Sequence, residues 1–336
     1  MAYYKLAPVL AFSIDPSVFW PYAAGAMILL IGLPVVLMGA ARRAHGIDKL
    51  VAFGPLLFAI PMAIFGGDHF VGAKFVATIV PRWIPWHFFW TYFVGTALIV
   101  GALSLATTIQ WRLAAGSFAL MLLIFWLTIH LPNFLAFPRN PGVLTLLTRE
   151  ILLLAGCLAF AASPIREPAS LSVRSGALLP AALGNKLVGA SCVLLGITFG
   201  EFGIQHFLRP DTAPGYPQDN PAVQIPMPSW LPGHALWMYL VGSIFVLSAI
   251  GLITIRYAQT AAVLIGATVL VIIPIVYIPV TIARATDITG GLNYLAIHFA
   301  MAGSALMLAS ALPAHSPAPA NVPDAEPARI ERVANS

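Results

Sequence analysis

The side chains in this sequence that could carry chemistry are histidines and carboxylates, and they fall at the ends of long apolar segments. Ionisable groups are costly inside a bilayer, so they usually face the interior of a helix bundle and mark a functional pathway. Histidine with a carboxylate suits quinol chemistry, because oxidation of a quinol releases protons that need acceptors near neutral pH. The sequence therefore predicts a polar pocket near one membrane surface. Its candidate residues are His69, His87, His130, Glu150, Glu201, His206, His234, Tyr277 and His298.

A structural role for the same histidines stays open. Each ring could bond a backbone carbonyl near a proline, such as Pro81 or Pro85, that leaves helical backbone groups without their normal partners. Tryptophans in the same regions are placed as an interfacial aromatic belt would place them. These interface aromatics are Trp83, Trp90, Trp230 and Trp237.

The elements that must position these residues are transmembrane helices. Of the 336 residues, 60% are hydrophobic and 9% are charged, and the mean hydropathy is +0.89. A soluble domain carries roughly 25% charged residues, and about twenty apolar residues suffice to cross the hydrocarbon core. The pattern predicts an all-α, polytopic membrane helical bundle. The predicted helices are 19–40, 49–68, 88–108, 112–131, 144–163, 186–205, 234–255, 259–280 and 291–312.

An internal repeat is the strongest signal in the sequence. Residues 48–70 match 185–207 at a constant offset, and after a ten-residue insertion residues 80–95 match 227–242. HLP at 130–132 then falls on YIP in the second half, and Glu150 falls on His298. Such self-similarity indicates a duplicated structural unit. The matched pairs include Lys49 and Lys186, Gly66 and Gly203, His69 and His206, His87 and His234, and Gly95 and Gly242.

Each repeat holds four helices, an even number, so both repeats enter the membrane in the same sense. Two such parallel four-helix repeats are related by an axis along the membrane normal. The first helix stands outside the duplication. The predicted organisation is an N-terminal segment with the first transmembrane helix (1–47), repeat 1 (48–163), a cytoplasmic linker (164–184), repeat 2 (185–312) and a disordered cytoplasmic tail (313–336).

Lys and Arg residues predict the orientation of the chain. If the helices alternate, most of them fall on one side, which the positive-inside rule assigns to the cytoplasm. The N-terminus is then outside, the C-terminus is cytoplasmic, and the polar pocket is near the periplasmic face of an inner membrane. The residues on the predicted cytoplasmic side are Arg42, Arg43, Lys49, Arg112, Arg166, Arg174, Lys186 and Arg256.

Several functional classes lack support in the sequence. The basic residues are scattered among the ends of apolar runs, so no nucleic-acid partner is expected. Cys157 and Cys192 form no CxxC pair, and no metal-binding, GxSxG or nucleotide-binding motif is present. Haem is disfavoured, because it needs two imidazoles facing each other in the middle of a bundle and these histidines lie nearer the rim. A quinone stays a candidate cofactor.

The repeat unit resembles the DoxX-like membrane proteins. The resemblance rests on FxxxHF at the end of one helix, PxWxPxHxxW in the following loop, HLPN at the end of another helix, and NPGVLTLLTRE at the start of the last. Members are typically one four-helix unit, so this chain looks like a tandem pair with one added helix. The acidic position often found on the last helix of the family is matched by Glu150, whereas the second repeat has His298 there.

The resemblance implies a cytoplasmic-membrane bundle and, as in a few members, a quinone-linked subunit of a respiratory or sulfur-compound oxidoreductase. We therefore expect the lipid bilayer and other subunits of a membrane redox complex as partners. Two alternatives stay open: a non-catalytic scaffold subunit, or a small-molecule transporter. Against transport, the polar residues gather at one rim and leave no path through the membrane.

Overall fold

The computed structural model describes residues 15–163, 179–217, 229 and 231–313. Within these ranges the chain is helix and loop, without strands. Parts of the predicted organisation lie outside the described residues: residues 1–14 of the N-terminal segment, most of the linker, Trp230, and the tail after residue 313.

Nine helices in the described residues are long and apolar enough to cross a membrane, so the predicted fold class is confirmed. The chain is a multi-pass helical bundle of the kind that a lipid bilayer surrounds. The helices are α1 (Ser17–Arg43), α2 (Asp48–Val71), α3 (His87–Thr107), α4 (Trp111–Ala136), α5 (Pro141–Ala162), α6 (Ala181–Leu208), α7 (His234–Ile253), α8 (Ala258–Ala283) and α9 (Ile288–Ala311).

Two helix boundaries differ from the predicted ones by five residues, and the others differ by less. The α6 helix begins at Ala181, directly after Pro180, so the last residues of the predicted linker belong to the helix. The α4 helix continues past the predicted end at residue 131 to Ala136, because a π-helical turn at Trp126–His130 carries the chain past Pro132. Proline has no N–H and so removes one backbone hydrogen bond. A π turn widens the helix locally, which lets the helix continue past the proline.

The two repeats form one closed arrangement. In each repeat the helices pack in chain order, α2 to α5 and α6 to α9. The repeats then join through α5 against α6 and α9 against α2, and α5 also packs directly on α9. The α1 helix packs on the outside, against α2 and α3. Each repeat is therefore completed by a helix of the other repeat, because its own first and last helices make little contact.

The close contact between α5 and α9 marks the symmetry axis. A Cβ atom added to Gly156 would lie 2.6 Å from the Cα atom of Ser304. In the sequence alignment of the repeats these two positions correspond, in the same register that aligns Glu150 with His298. Equivalent residues touch each other only where a two-fold axis passes between them. The structure thus has the pseudo-two-fold relation expected of parallel repeats.

Candidate functional site

The polar side chains gather at the end of the bundle where α2, α4, α6 and α8 finish and α3, α5, α7 and α9 begin, which we call the polar end. A close helix crossing positions one histidine in each repeat there. Gly66 lies against the Gly95 carbonyl, with 2.9 Å between that oxygen and the Cβ position, and Gly95 lies against the Cβ atom of His69 at 2.8 Å. Only glycine permits this approach of α2 to α3.

The second repeat has the same crossing between α6 and α7. Gly203 lies 2.9 Å from the Gly242 carbonyl oxygen, and Gly242 lies 2.9 Å from the Cβ atom of His206, both measured from the Cβ position of the glycine. The rings are also held alike. Nδ1–H of His69 donates to the carbonyl of Phe65 (2.7 Å), and Nδ1–H of His206 donates to that of Phe202 (2.6 Å). Each Nε2 is therefore the acceptor nitrogen of a neutral ring.

A π-helical turn recurs at the same place in both repeats. It covers Trp126–His130 in α4 and Ile273–Tyr277 in α8, and each is followed by a six-residue helical turn that carries a proline at its second position. The turns end on His130 and Tyr277, two of the predicted pocket residues. Single π turns are frequent at functional sites because they re-aim the side chains of a helix.

In the second repeat a segment of loop enters the bundle. Residues 213–217, which we call the plug, follow α6 and are all buried. Buried loop backbone is unfavourable unless its polar groups are satisfied. Nε2 of His206 accepts from the Gly215 N–H (2.8 Å), and Nε2 of His298 accepts from the Tyr216 N–H (2.9 Å). The Tyr277 hydroxyl donates to the carbonyl of Pro214 (2.9 Å).

Glycine is required at the centre of the plug. Gly215 has φ +117°, which L-amino acids rarely adopt, and a Cβ there would collide with Nε2 of His298. His298 is fully buried, its Nδ1–H donates to the Tyr294 carbonyl (2.6 Å), and its ring stacks on Tyr277 at 3.5 Å between centroids. Three predicted pocket residues, His206, Tyr277 and His298, thus come together to hold the protein's own backbone.

The first repeat brings His130 and Glu150 together. Glu150 is 4% exposed, and its Oε1 accepts from Nη2 (2.8 Å) and Nε (3.2 Å) of Arg149. Nε2 of His130 lies 3.6 Å from the same oxygen, an ion-pair distance when the ring is protonated. A ligand can exchange a proton with this group, because the cation stabilises the ionised carboxylate and the imidazole is a second proton acceptor beside it.

A second carboxylate lies at the interface between the repeats. Glu201 of α6 accepts from the Thr148 hydroxyl (3.2 Å) and from the side-chain amide of Gln205. The same amide nitrogen lies 3.2 Å from the Thr145 hydroxyl of α5. Glu201 is thus bonded across the interface, while its counterpart in the first repeat is the apolar Ile64.

Tyr216 joins the plug to the first repeat. Its side chain hydrogen bonds with that of Arg149, and it lies within electrostatic range of Glu150 and Glu201. Its ring packs on Phe202 at 5.7 Å and Tyr294 at 6.2 Å between centroids. Burial raises the pKa of the Tyr216 phenol to about 12, although the nearby Arg149 acts to lower it. The phenol therefore stays neutral at physiological pH.

Asp68 and Asn293 were not among the sequence candidates. Their side chains hydrogen bond between α2 and α9, while Asp68 Oδ1 and Asn293 Oδ1 are buried without a hydrogen-bond partner among the residues that the structure describes. The repeat alignment pairs Asp68 with Gln205 and Asn293 with Thr145. The Asp68–Asn293 and Gln205–Thr145 bonds are thus the same bond in the two repeats. The signal for this pair of bonds was present in the alignment, as polar residues at equivalent positions of the two repeats.

Two predicted pocket residues lie apart from these clusters. His87 is half-buried at the start of α3, and His234 is exposed at the start of α7. Neither ring hydrogen bonds to the clusters within the described ranges. Trp83 and Trp90 are exposed, and Nε1–H of the half-buried Trp237 donates to the Pro232 carbonyl (3.1 Å). The aromatic-belt prediction stays a prediction, and Trp230 lies outside the described residues.

The two repeats also differ in the cavities near the polar end. Beside the plug is a cavity of 10 Å³, lined by Gln205, His206 and Arg209 among others. It has room for about one water and is too small for an organic ligand. Between α1, α2 and α3 is an apolar groove of 490 Å³, lined by residues such as Trp20, Met27 and Phe70. None of the clustered polar residues lines that groove.

The donor sets do not fit a haem or a metal site in the second repeat. Both ring nitrogens of His206 and of His298 are engaged with backbone groups, so neither ring has a free lone pair for iron. In the part of the chain that the structure describes, no three His, Cys, Asp or Glu side chains come together as a metal site. Comparisons with protein families, curated proteins and solved structures find no match to this chain.

Proposed function

We propose that this chain is a membrane subunit that binds the head group of a quinone-class lipid through the first repeat. The observation that carries the proposal is the buried pair of Glu150 and His130, with Arg149 bonded to the carboxylate. A quinone head group needs partners that accept or release protons when its redox state changes, and a carboxylate beside an imidazole provides two. In this proposal Glu150 and His130 take the two protons of a quinol, and the two electrons pass to a redox-active partner subunit.

The proposal confines ligand binding to one repeat. His206 and His298 each bond the plug through Nε2 and a carbonyl of their own helix through Nδ1, so they have no capacity left for a ligand. The second repeat then serves as a rigid support for the first, which it contacts through α5 and α6 and through α2 and α9. This division also suits the DoxX-like resemblance, since the acidic position of that family occurs only in the first repeat.

The cellular setting belongs to the same proposal. We place the chain in the inner membrane, with the N-terminus outside and the C-terminus cytoplasmic, on the strength of the Lys and Arg distribution. The polar end is then near the periplasmic face. The partner is a respiratory or sulfur-compound oxidoreductase, in keeping with the same family resemblance.

Binding of a quinol with a ten-carbon tail tests the proposal, because Glu150 and His130 are proposed to take its protons. The purified protein in lipid nanodiscs is titrated with the quinol under argon, and tryptophan quenching reports binding. We expect Glu150→Gln and His130→Phe each to weaken binding at least tenfold, because one hydrogen bond to a charged group is worth about 1.5–3 kcal/mol. His45→Gln is the matched control, since His45 is exposed at the opposite end of the bundle. Equal affinity in all four proteins would contradict the proposal.

A scaffold without a ligand is the second candidate function, and the plug favours it. The buried histidines of the second repeat act in folding, and the first repeat could do the same through the Arg149–Glu150 pair. A scaffold predicts that the protein purifies with a larger redox complex and that Glu150→Gln disrupts this assembly without any quinone effect. Copurification from membranes that carry wild type or Glu150→Gln distinguishes the two functions.

A further inference from the structure

The plug shows what kind of group the polar end of a repeat can hold. It is bound by two acceptors, Nε2 of His206 and Nε2 of His298, and each takes an N–H from consecutive backbone amides. The Tyr277 hydroxyl adds one donor, which bonds a carbonyl oxygen. The site in the second repeat is therefore built to accept two hydrogen bonds and to donate one.

The first repeat carries the equivalent residues on the same scaffold. His69 corresponds to His206, and the two glycine crossings place the Cβ atoms of these histidines alike, within 0.1 Å in the contact distance. Glu150 corresponds to His298, and both lie on the helices that meet at the symmetry axis. His130 corresponds to Tyr277, and each is the last residue of the recurring π turn.

Two acceptor atoms of the first repeat, His69 Nε2 and Glu150 Oε2, accept no hydrogen bond from the residues that the structure describes. His69 donates its Nδ1–H to the Phe65 carbonyl, which leaves Nε2 as an acceptor. Oε1 of Glu150 takes both bonds from Arg149, and Oε2 takes none. The loop after α2 is ten residues shorter than its counterpart, and its short helix, Ala73–Ile79, packs on α3. Nε1–H of Trp126, in the same π turn as His130, is a buried donor without a partner in the part of the chain that the structure describes.

We infer that the first repeat recognises a ligand that donates hydrogen bonds to His69 Nε2 and Glu150 Oε2, as the plug backbone does in the second repeat. The inference rests on the proposed function and specifies its ligand. A quinone head group offers only acceptor oxygens, whereas a hydroquinone offers two O–H donors. The first repeat therefore prefers the reduced hydroquinone over the oxidised quinone, and His69 is the residue that creates this preference.

The test compares the two redox forms of one ligand. Wild-type protein in nanodiscs is titrated under argon with a quinol that has a ten-carbon tail, and separately with the matching quinone. We expect the quinol to bind at least tenfold more tightly. His69→Phe should remove about that factor from quinol binding and leave quinone binding unchanged, because the phenyl ring has no acceptor nitrogen.

Two further variants keep the result interpretable. His69→Gln keeps an acceptor oxygen and should retain part of the preference, while His45→Gln should retain all of it. Thermal unfolding of each variant shows that loss of preference is not loss of fold. Equal binding of both forms by wild type would overturn the inference and leave the proposed function standing. Failure to bind either form would overturn both.

Discussion

The two repeats share a backbone scaffold but differ at their polar ends. Both have the glycine crossing that positions a histidine, the π turn, and the polar bond between helices of opposite repeats. In the second repeat, buried side chains hold the plug. In the first repeat, the equivalent positions carry His69, His130 and Glu150, with Arg149 as the countercharge. The polar ends thus differ in the length of one loop and in the side chains at two equivalent positions, Tyr277 against His130 and His298 against Glu150.

The comparison also explains how identical histidines can have different roles. His69 and His206 make the same bond to the helix carbonyl four residues earlier, so that bond says nothing about function. The role of each ring depends on what reaches Nε2. For His206 it is a backbone amide of the plug, and a buried amide that loses its acceptor costs free energy.

The most damaging change to the second repeat is Gly215→Ala. The added methyl group would collide with His298 and force a strained φ, so we expect the free energy of unfolding to fall by about 3 kcal/mol or more. Denaturant titration in mixed micelles measures the loss. Gly46→Ala is the matched control, because Gly46 also has positive φ but nothing within 4 Å of its Cβ position. Equal losses for both variants would mean that the plug contributes no stability.

The next largest difference between the repeats is expected when the equivalent histidine is replaced in each. His206→Phe leaves the Gly215 amide buried without an acceptor, so it should lower the free energy of unfolding by about 2 kcal/mol. His69→Phe leaves no such amide and should cost about 1 kcal/mol or less. Thermal unfolding of the two variants side by side checks the order. A larger loss for His69→Phe would show that the first repeat also depends on a histidine clip.

High pH should weaken the packing of the plug. The pKa of Tyr216 is raised from 10.0 to about 12, so the folded state favours the neutral phenol. The stability it contributes is complete below pH 10 and is lost as the pH rises through 12. In Tyr216→Phe the absorbance of tyrosinate at high pH should lose the contribution of one late-titrating tyrosine. Titration of Tyr216 with the exposed tyrosines would contradict burial of the plug.

The smallest difference is expected at the glycine crossings. Gly66→Ala and Gly203→Ala each push a methyl group against the facing helix at 2.9 Å, so each should cost about 1–3 kcal/mol from overpacking. Because the two crossings have the same geometry, the two losses should be equal within the error of the measurement. Thermal unfolding checks this, and a clear difference would show that the repeats do not share their scaffold energetics.

Much of the fold could be predicted from the sequence. Nine apolar segments predict nine spans because only a helix satisfies its own backbone within the bilayer. The repeat alignment matched His69 with His206 and HLP with YIP. In the structure the two histidines lie at the glycine crossings, and the two tripeptides lie at the ends of the π turns. The alignment also contains the Asp68–Gln205 and Thr145–Asn293 correspondences, but the sequence analysis did not predict the polar bonds that these residues make between the repeats.

The tertiary structure alone decided how the predicted pocket divides. Side-chain type and membrane depth placed nine residues at one rim, since ionisable groups in a bilayer must find partners. Sequence could not show that a loop of small and aromatic residues turns inward and occupies His206, Tyr277 and His298. Sequence also could not show that His87 and His234 lie away from the polar clusters of the two repeats. Those outcomes depend on which groups come within hydrogen-bond distance across helices, and only the packed bundle sets these distances.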